Sequence, residues 1–131
     1  MKVIDKIALI EIQDNMILST RSEGKSTFYF PGGKRESGES DAQALIREIR
    51  EELSVELQED SLAYLGTFEA QADGHAIDII VRMTCYSGKY IGTLKPASEI
   101  AEIVWLTYND KNKTSAVDKI IFDWLKINGK L

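Results

Sequence analysis

Residues 33–55, GKRESGESDAQALIREIREELSV, join a glycine-containing turn to an acidic helix. Ser40 followed by Gln43 is a capping-box pattern, in which each side chain satisfies a backbone amide at the helix start. We therefore predict a helix that begins near Ser40. Aliphatic side chains recur at the helical period and predict the face that packs on the core: Leu45, Ile46, Ile49 and Leu53.

Three carboxylates are crowded beside that aliphatic face, because Glu48 precedes Glu51 and Glu52 by the spacings that make helical neighbours. Each like-charge pair costs an exposed helix about 0.2–0.5 kcal/mol. A divalent cation would reverse the sign of this contribution, since clustered carboxylate oxygens are ligands that Mg²⁺ or Mn²⁺ prefers. The helix pattern taken alone is also typical of a solvated acidic surface.

The register of the whole stretch resembles the Nudix box. The matching glycine, glutamate and arginine positions, with their aliphatic neighbours, are Gly33, Glu39, Arg47, Glu48, Ile49, Glu51, Glu52 and Val55. The family usually has glycine where this chain has Ser54, directly after the last helical turn. A serine in the left-handed conformation costs about 1 kcal/mol relative to glycine. We therefore expect Ser54→Gly to raise the melting temperature without changing turnover.

The resemblance implies an α/β/α sandwich around a mixed β-sheet, with the box helix and a C-terminal helix packed on it. The order of the elements expected from the residues is compatible with this α/β or α+β class. Strands are predicted over residues 3–12, 16–21, 62–72, 76–87, 90–94 and 103–106, and a second helix over 115–128 before Gly129. The first two strands are expected to form a hairpin, as are 62–72 and 76–87.

Nudix hydrolases cleave a nucleoside diphosphate linked to a further group, by attack of water on phosphorus with a divalent metal. The resemblance therefore implies a Mg²⁺-dependent pyrophosphohydrolase, with Mn²⁺ as the alternative metal. Glu48 and Glu52 would be the principal metal ligands and Glu51 a further ligand. The backbone carbonyl of Gly33 would complete the coordination shell.

Supporting roles follow from the same resemblance. Arg47 would hold a carboxylate of the cluster by a two-pronged contact that lysine cannot reproduce. Glu39 and Gly32 would support the loop against the helix. The acceptor of the proton from water stays open between Glu48 and a residue of a later loop.

Substrate selection is less strongly indicated. Phe28, Tyr29 and Tyr90 are candidate surfaces for a base, and Glu99 is a candidate substrate contact. Glu99 and Glu102, just before the 103–106 strand, are also the later acidic candidates for the acceptor of the proton from water. Aromatic side chains in strands otherwise pack in the core. His75 is expected in a surface loop.

Residues 69–73, EAQAD, lack the proline of ADP-ribose hydrolases and the tyrosine of diadenosine polyphosphate hydrolases. Their absence favours a nucleoside triphosphate, with oxidised forms included, cleaved to the monophosphate and pyrophosphate. The alternatives are an ADP-ribose or dinucleotide hydrolase, and a Nudix-fold module that senses a nucleotide without cleaving it.

Composition sets the outer limits. The 131 residues fit one domain, 1–131, and a net charge of -5 argues against duplex nucleic acid as a partner. The single cysteine, Cys85, lies in an apolar run and is expected to be a buried structural thiol. Without a secretory signal or an apolar run of about 20 residues, the expectation is a cytoplasmic monomer or homodimer that does not bind membranes.

Overall fold

The computed structural model describes residues 2–72 and 78–131. In chain order its strands are β1 (Lys2–Leu9), β2 (Ile12–Gln13), β3 (Met16–Ser22), β4 (Gly32–Gly33), β5 (Glu56–Leu57), β6 (Ala63–Gln71), β7 (Ile79–Ser87), β8 (Tyr90–Ile91) and β9 (Ile100–Leu106). The helices are α1 (Asp41–Leu53) and α2 (Ala116–Ile127), with short 3-10 turns at Glu59–Ser61 and Tyr108–Lys113. The predicted loop position of His75 lies outside the described residues.

Strand β1 is central to a mixed sheet in the order β4-β1-β7-β6. It runs parallel to β7 and antiparallel to β4, while β6 and β7 form the expected antiparallel pair. Another sheet has the order β2-β3-β9, and β5 pairs with β8. Strand β9 begins three residues before the predicted 103–106 segment. The α+β class and the mixed sheet confirm the predicted fold.

The prediction of one strand over residues 3–12 was wrong. Strand β1 ends at Leu9, and the amide of Ile10 donates to the carbonyl of Tyr86 in β7. The hairpin is made instead by β2 and β3, around Asp14 and Asn15. Both turn residues have positive φ, 51° and 61°, which a two-residue hairpin turn of matching twist requires. Residues 7–10 are all aliphatic, so the sequence gives no signal for the end of β1 at Leu9, where the chain passes from one sheet to the other.

Successive side chains of β1 point alternately to two hydrophobic cores, one on each face of the sheet. Ala8 faces a core cluster that includes the buried side chains of α2, whereas Ile7 and Leu9 face another cluster that includes those of α1. Successive side chains of a strand point to opposite faces, so one strand supplies both cores. The result is the predicted α/β/α arrangement. No helix in residues 2–72 and 78–131 is long and apolar enough to cross a bilayer.

Both helices begin as the sequence predicts. Ser40 and Gln43 form the complete capping box of α1, and Ser115 caps α2, which ends before Gly129 at a φ of 69°. Three of the four predicted core side chains of α1 are fully buried, and Ile46 is partly buried. On α2, Ile120 is 42% exposed, while Asp118 is fully buried.

Ser54 occupies the left-handed position that the sequence indicates, with a φ of 64°. Its amide donates to the carbonyl of Arg50, and its hydroxyl donates to the carbonyl of Lys95 at 3.1 Å. The amide of Lys95 in turn donates to the carbonyl of Leu53. The serine hydroxyl therefore helps to fasten the 95–97 loop to the end of α1, a contact that glycine could not make.

This extra bond reduces the expected benefit of Ser54→Gly. Removing the left-handed strain should contribute about 1 kcal/mol, and losing an exposed hydrogen bond should cost about 0.5–1 kcal/mol. We expect Ser54→Gly to raise the unfolding free energy by a few tenths of a kcal/mol at most, and Ser54→Ala, which keeps the strain and loses the bond, to lower it by about 0.5–1 kcal/mol. Chemical denaturation of the three proteins measures the order. Ala as stable as Gly would contradict it.

Candidate functional site

The segment before α1 is fixed by hydrogen bonds to several elements. The amide of Phe30 donates to the buried carboxylate of Asp118 on α2 at 3.0 Å, and the amide of Leu9 donates to the carbonyl of Pro31. Gly32 has a φ of 148°, and a Cβ there would lie 2.0 Å from the carbonyl oxygen of Ile7. Only glycine permits this close approach to β1. The turn is therefore held rigidly beside the central sheet.

Glu52 joins this turn to α1. Its side chain is buried, and its Oε1 accepts a hydrogen bond from the amide of Gly32 at 3.1 Å. The pKa of Glu52 is raised to about 8. Burial is the main cause, and the nearby carboxylates of Glu48 and Glu99 add to it. An acid in such a place has a strongly disfavoured negative charge unless a cation arrives. This is the perturbation typical of a functional carboxylate.

Glu48 lies one helical turn before Glu52 and against Gly33. A Cβ at Gly33 would come within 2.5 Å of its Oε2, so the absence of a side chain leaves room for this carboxylate. Burial raises the pKa of Glu48, and the pairing with Arg47 opposes that shift. The lack of a side chain at position 33 therefore lets the Glu48 carboxylate keep its observed position beside the turn.

Arg47 connects the acidic residues around it. Its Nε and Nη2 donate to the two carboxylate oxygens of Glu39 at 2.7 and 2.9 Å, and its Nη1 donates to Oε1 of Glu48 at 2.8 Å. It also donates to the carbonyl of Lys34 at 3.1 Å and, more weakly, to Glu51. These bonds to Arg47 lower the pKa of Glu39 to about 2. The guanidinium therefore links the loop to the helix. The two-pronged contact expected with a carboxylate of the cluster is made instead with Glu39, and Glu48 receives a single bond.

A cavity of about 300 Å³ opens over these groups. Glu48, Glu52 and Glu99 form its acidic wall, and the cationic side chains of Lys6 and Lys34 also line it. Glu99 reaches the site because the amide of Ala97 donates to the carbonyl of Glu52, which ties its loop to α1. The volume is at the lower end of the range for small-molecule sites, about 300–1,000 Å³.

The other candidates from the sequence lie in different surroundings. Tyr29 lines the cavity, whereas Phe28 packs, partly buried, against the core and lines neither cavity described here. Glu102 pairs with Arg21 of β3 at 3.0 Å, away from the acidic wall. Cys85 is fully buried, and burial raises the pKa of its thiol, which agrees with a structural role.

The acidic wall contains oxygen donors of the kind that bind divalent cations. Among residues 2–72 and 78–131, no group of three acidic, histidine or cysteine side chains is already gathered as a metal centre, and Glu51 is half exposed and turned to Arg47. The donors nevertheless suit a hard cation. Glu48, Glu52 and Glu99 border one cavity, and the Gly33 position leaves space beside the Glu48 carboxylate. The residues therefore fit such an ion.

Lys6 and Lys34, the cationic residues that line the cavity, were not predicted from the sequence. Lys6 follows Ile4 and precedes Ala8 on the same face of β1, so it is a charge within an otherwise apolar row. That interruption was the available signal. The buried Asp118 was missed for a different reason, because its partner, the amide of Phe30, is 88 residues away in the sequence.

Comparison with known proteins agrees with this geometry. The family described as the NUDIX domain matches residues 5–125. The chain is 33% identical over 109 residues to the CTP pyrophosphohydrolase of Escherichia coli (strain K12), covering 80% of this chain and 76% of that protein. It is 30% identical over 97 residues to the uncharacterized Nudix hydrolase YvcI of Bacillus subtilis (strain 168), covering 74% of this chain.

The chain spans 61% of the length of that Bacillus relative. Among solved structures, the solution structure of the E. coli ORF135 protein matches with a TM-score of 0.72 and 27% identity, over 94% of this chain and 88% of that one. The match to the family covers most of the sequence, including the box and the strands on both sides of it. The protein therefore belongs to the Nudix family of hydrolases.

Proposed function

We propose that this Nudix hydrolase cleaves nucleoside triphosphates, with oxidised forms included, to the nucleoside monophosphate and pyrophosphate. The observation that carries the proposal is the composition of the cavity, in which three glutamates face Lys6 and Lys34. The similarity to a CTP pyrophosphohydrolase supports a triphosphate as the substrate. The class of reaction, pyrophosphate hydrolysis with a divalent metal ion, is that of the family.

A triphosphate needs cations around it, and this chain carries a net charge of -5. Lys6 and Lys34 are the positive groups that border the cavity, and Lys34 would contact the phosphate chain. Glu48, Glu52 and Glu51, with the carbonyl of Gly33, would hold the metal, for which we propose Mg²⁺ with Mn²⁺ as the alternative. When bound, such an ion neutralises phosphate charge and acidifies a water molecule.

The side chains would then divide the remaining work. The Gly32 amide fixes the orientation of Glu52, and Arg47 fixes that of Glu48 while it joins the loop to the helix through Glu39. Glu48 is the proposed acceptor of the proton from the attacking water, and Glu99 is the other carboxylate within the same cavity. Glu52 is buried and Glu48 is partly buried, which strengthens the interactions of these two carboxylates relative to bulk water.

The proposal is tested with a substrate panel. The purified protein is incubated with Mg²⁺ or Mn²⁺ and nucleoside triphosphates, oxidised nucleoside triphosphates, dinucleotides, ADP-ribose or nucleotide sugars, and released phosphate, pyrophosphate and monophosphate are quantified. We expect monophosphate and pyrophosphate in equal amounts from a triphosphate, and none when the metal is chelated. Cleavage of dinucleotides or ADP-ribose alone, or of nothing in the panel, would contradict the proposal.

Glu52→Gln is expected to lower kcat by about a hundredfold or more, the scale of losing a positioned charged group. Glutamine keeps the side-chain volume and an oxygen that can accept from the Gly32 amide, and it removes an acid buried beside Glu48 and Glu99. The melting temperature should therefore be unchanged or higher. The matched control is Glu59→Gln, an exposed glutamate outside the cavity, which should keep wild-type kcat. Wild-type turnover by Glu52→Gln at saturating Mg²⁺ would remove Glu52 from the site.

Arg47→Lys is expected to lower kcat by at least about tenfold, because lysine cannot bond both oxygens of Glu39 and also reach Glu48. Arg50→Lys is the control. Arg50 makes a similar two-pronged pair with Glu56 on the exposed side of the same helix, so its replacement should leave kcat unchanged. Equal kcat values for the two variants, measured with unfolding curves for both, would contradict a positioning role for Arg47.

A further inference from the structure

A smaller cavity of about 110 Å³ adjoins the catalytic one. The two share Lys6, Tyr29 and Met83 as lining residues. Beyond these, the smaller cavity is lined by aliphatic side chains, Ile4, Val81 and Val117 among them, and by the polar residues Gln71 and Ser115. A ligand whose charged part lies at the acidic wall can therefore extend past Tyr29 into a cavity that offers both apolar walls and polar groups.

Lys6 stands at the boundary between the two cavities. Its side chain is partly buried, and its ammonium lies 5.6 Å from the centre of the Tyr29 ring. Among residues 2–72 and 78–131 it forms no ion pair with a carboxylate. A partly buried cation without a carboxylate partner is costly for the protein alone. Its placement is explained if a ligand supplies the acceptor.

We infer that the smaller cavity receives the base of the substrate, that Tyr29 is the surface on which it stacks, and that Lys6 selects bases that present a ring carbonyl oxygen. The inference rests on the proposed function and deepens it. An ammonium offers three donors and no acceptor. Cytosine, uracil and guanine carry a ring carbonyl oxygen that can accept from it, and adenine carries none. The protein thus favours oxo-base nucleotides over adenine nucleotides.

The surroundings of Lys6 favour a base contact over a purely phosphate contact. Ile4, Val81 and Met83 offer phosphate oxygens no donors, whereas an aromatic ring gains from apolar walls and from stacking on Tyr29. Lys34, which lines only the larger of the two cavities, is the cation placed for phosphate alone. Replacing Lys6 and replacing Lys34 are therefore expected to have different effects on substrate preference.

The test compares Lys6→Met with wild type on CTP, UTP, GTP and ATP. Methionine keeps most of the side-chain length and removes the donor. We expect kcat/KM to fall by about tenfold or more for the three oxo-base substrates and by less than about twofold for ATP, since a charged donor facing a substrate acceptor is lost only for the former. Lys2→Met is the control, on the same strand but outside both cavities, and should match wild type. An equal fall for all four nucleotides would overturn the base contact.

Binding of the monophosphate products separates this inference from the proposed function. Calorimetric titration with CMP, UMP, GMP and AMP needs no turnover. We expect wild type to bind the first three more tightly than AMP, and Lys6→Met to lose that difference. If the panel shows no hydrolysis but this preference is present, the proposed reaction fails and the base site stands. If hydrolysis occurs but wild type binds AMP as well as the others, the base site fails and the reaction stands.

Discussion

The hydrogen bond from the Gly32 amide to the buried carboxyl of Glu52 joins the two halves of the site. It requires that the turn backbone approach α1 and β1 at the same time. The approach to β1 is possible because residue 32 has no Cβ, which would collide with the backbone carbonyl of Ile7. The absence of a Cβ at position 33 leaves room for the Glu48 carboxylate in its observed position. Glycine at position 32 is therefore a packing requirement, and the Gly33 position accommodates the acidic wall.

The acidic wall lowers the stability of the protein when no cation or ligand is bound. Desolvation raises the pKa values of Glu48 and Glu52, and the neighbouring carboxylates add to it. Arg47 offsets part of this cost, since its bonds reach Glu48, Glu51 and both oxygens of Glu39. Glu52 instead contacts the Gly32 amide and Glu99. The remaining repulsion is between carboxylates at the place where the site would bind its cation. Functional sites often contain such locally destabilising arrangements.

The local parts of this structure could be predicted because they depend on neighbours in the sequence. The Ser40 cap, the buried face of α1 and the left-handed Ser54 all follow from spacings of a few residues. The family resemblance supplied the sheet topology, which periodicity could not. The sequence did not reveal that β1 ends at Leu9, or that the Phe30 amide donates a hydrogen bond to Asp118. Both features depend on partners more than 70 residues away in the sequence. Phe28 and Tyr29 are adjacent aromatics, and only the fold decides which one faces the cavity.

The charge of the whole chain is a poor guide to its ligand. The chain has a net charge of -5, yet Lys6 and Lys34 both line the cavity that the glutamates line. Over distances beyond the Debye length, about 8 Å in physiological salt, the net charge is largely screened, so the charged groups nearest to a ligand dominate. The same strand that supplies both hydrophobic cores also carries Lys6, which makes β1 the element that links folding to substrate choice.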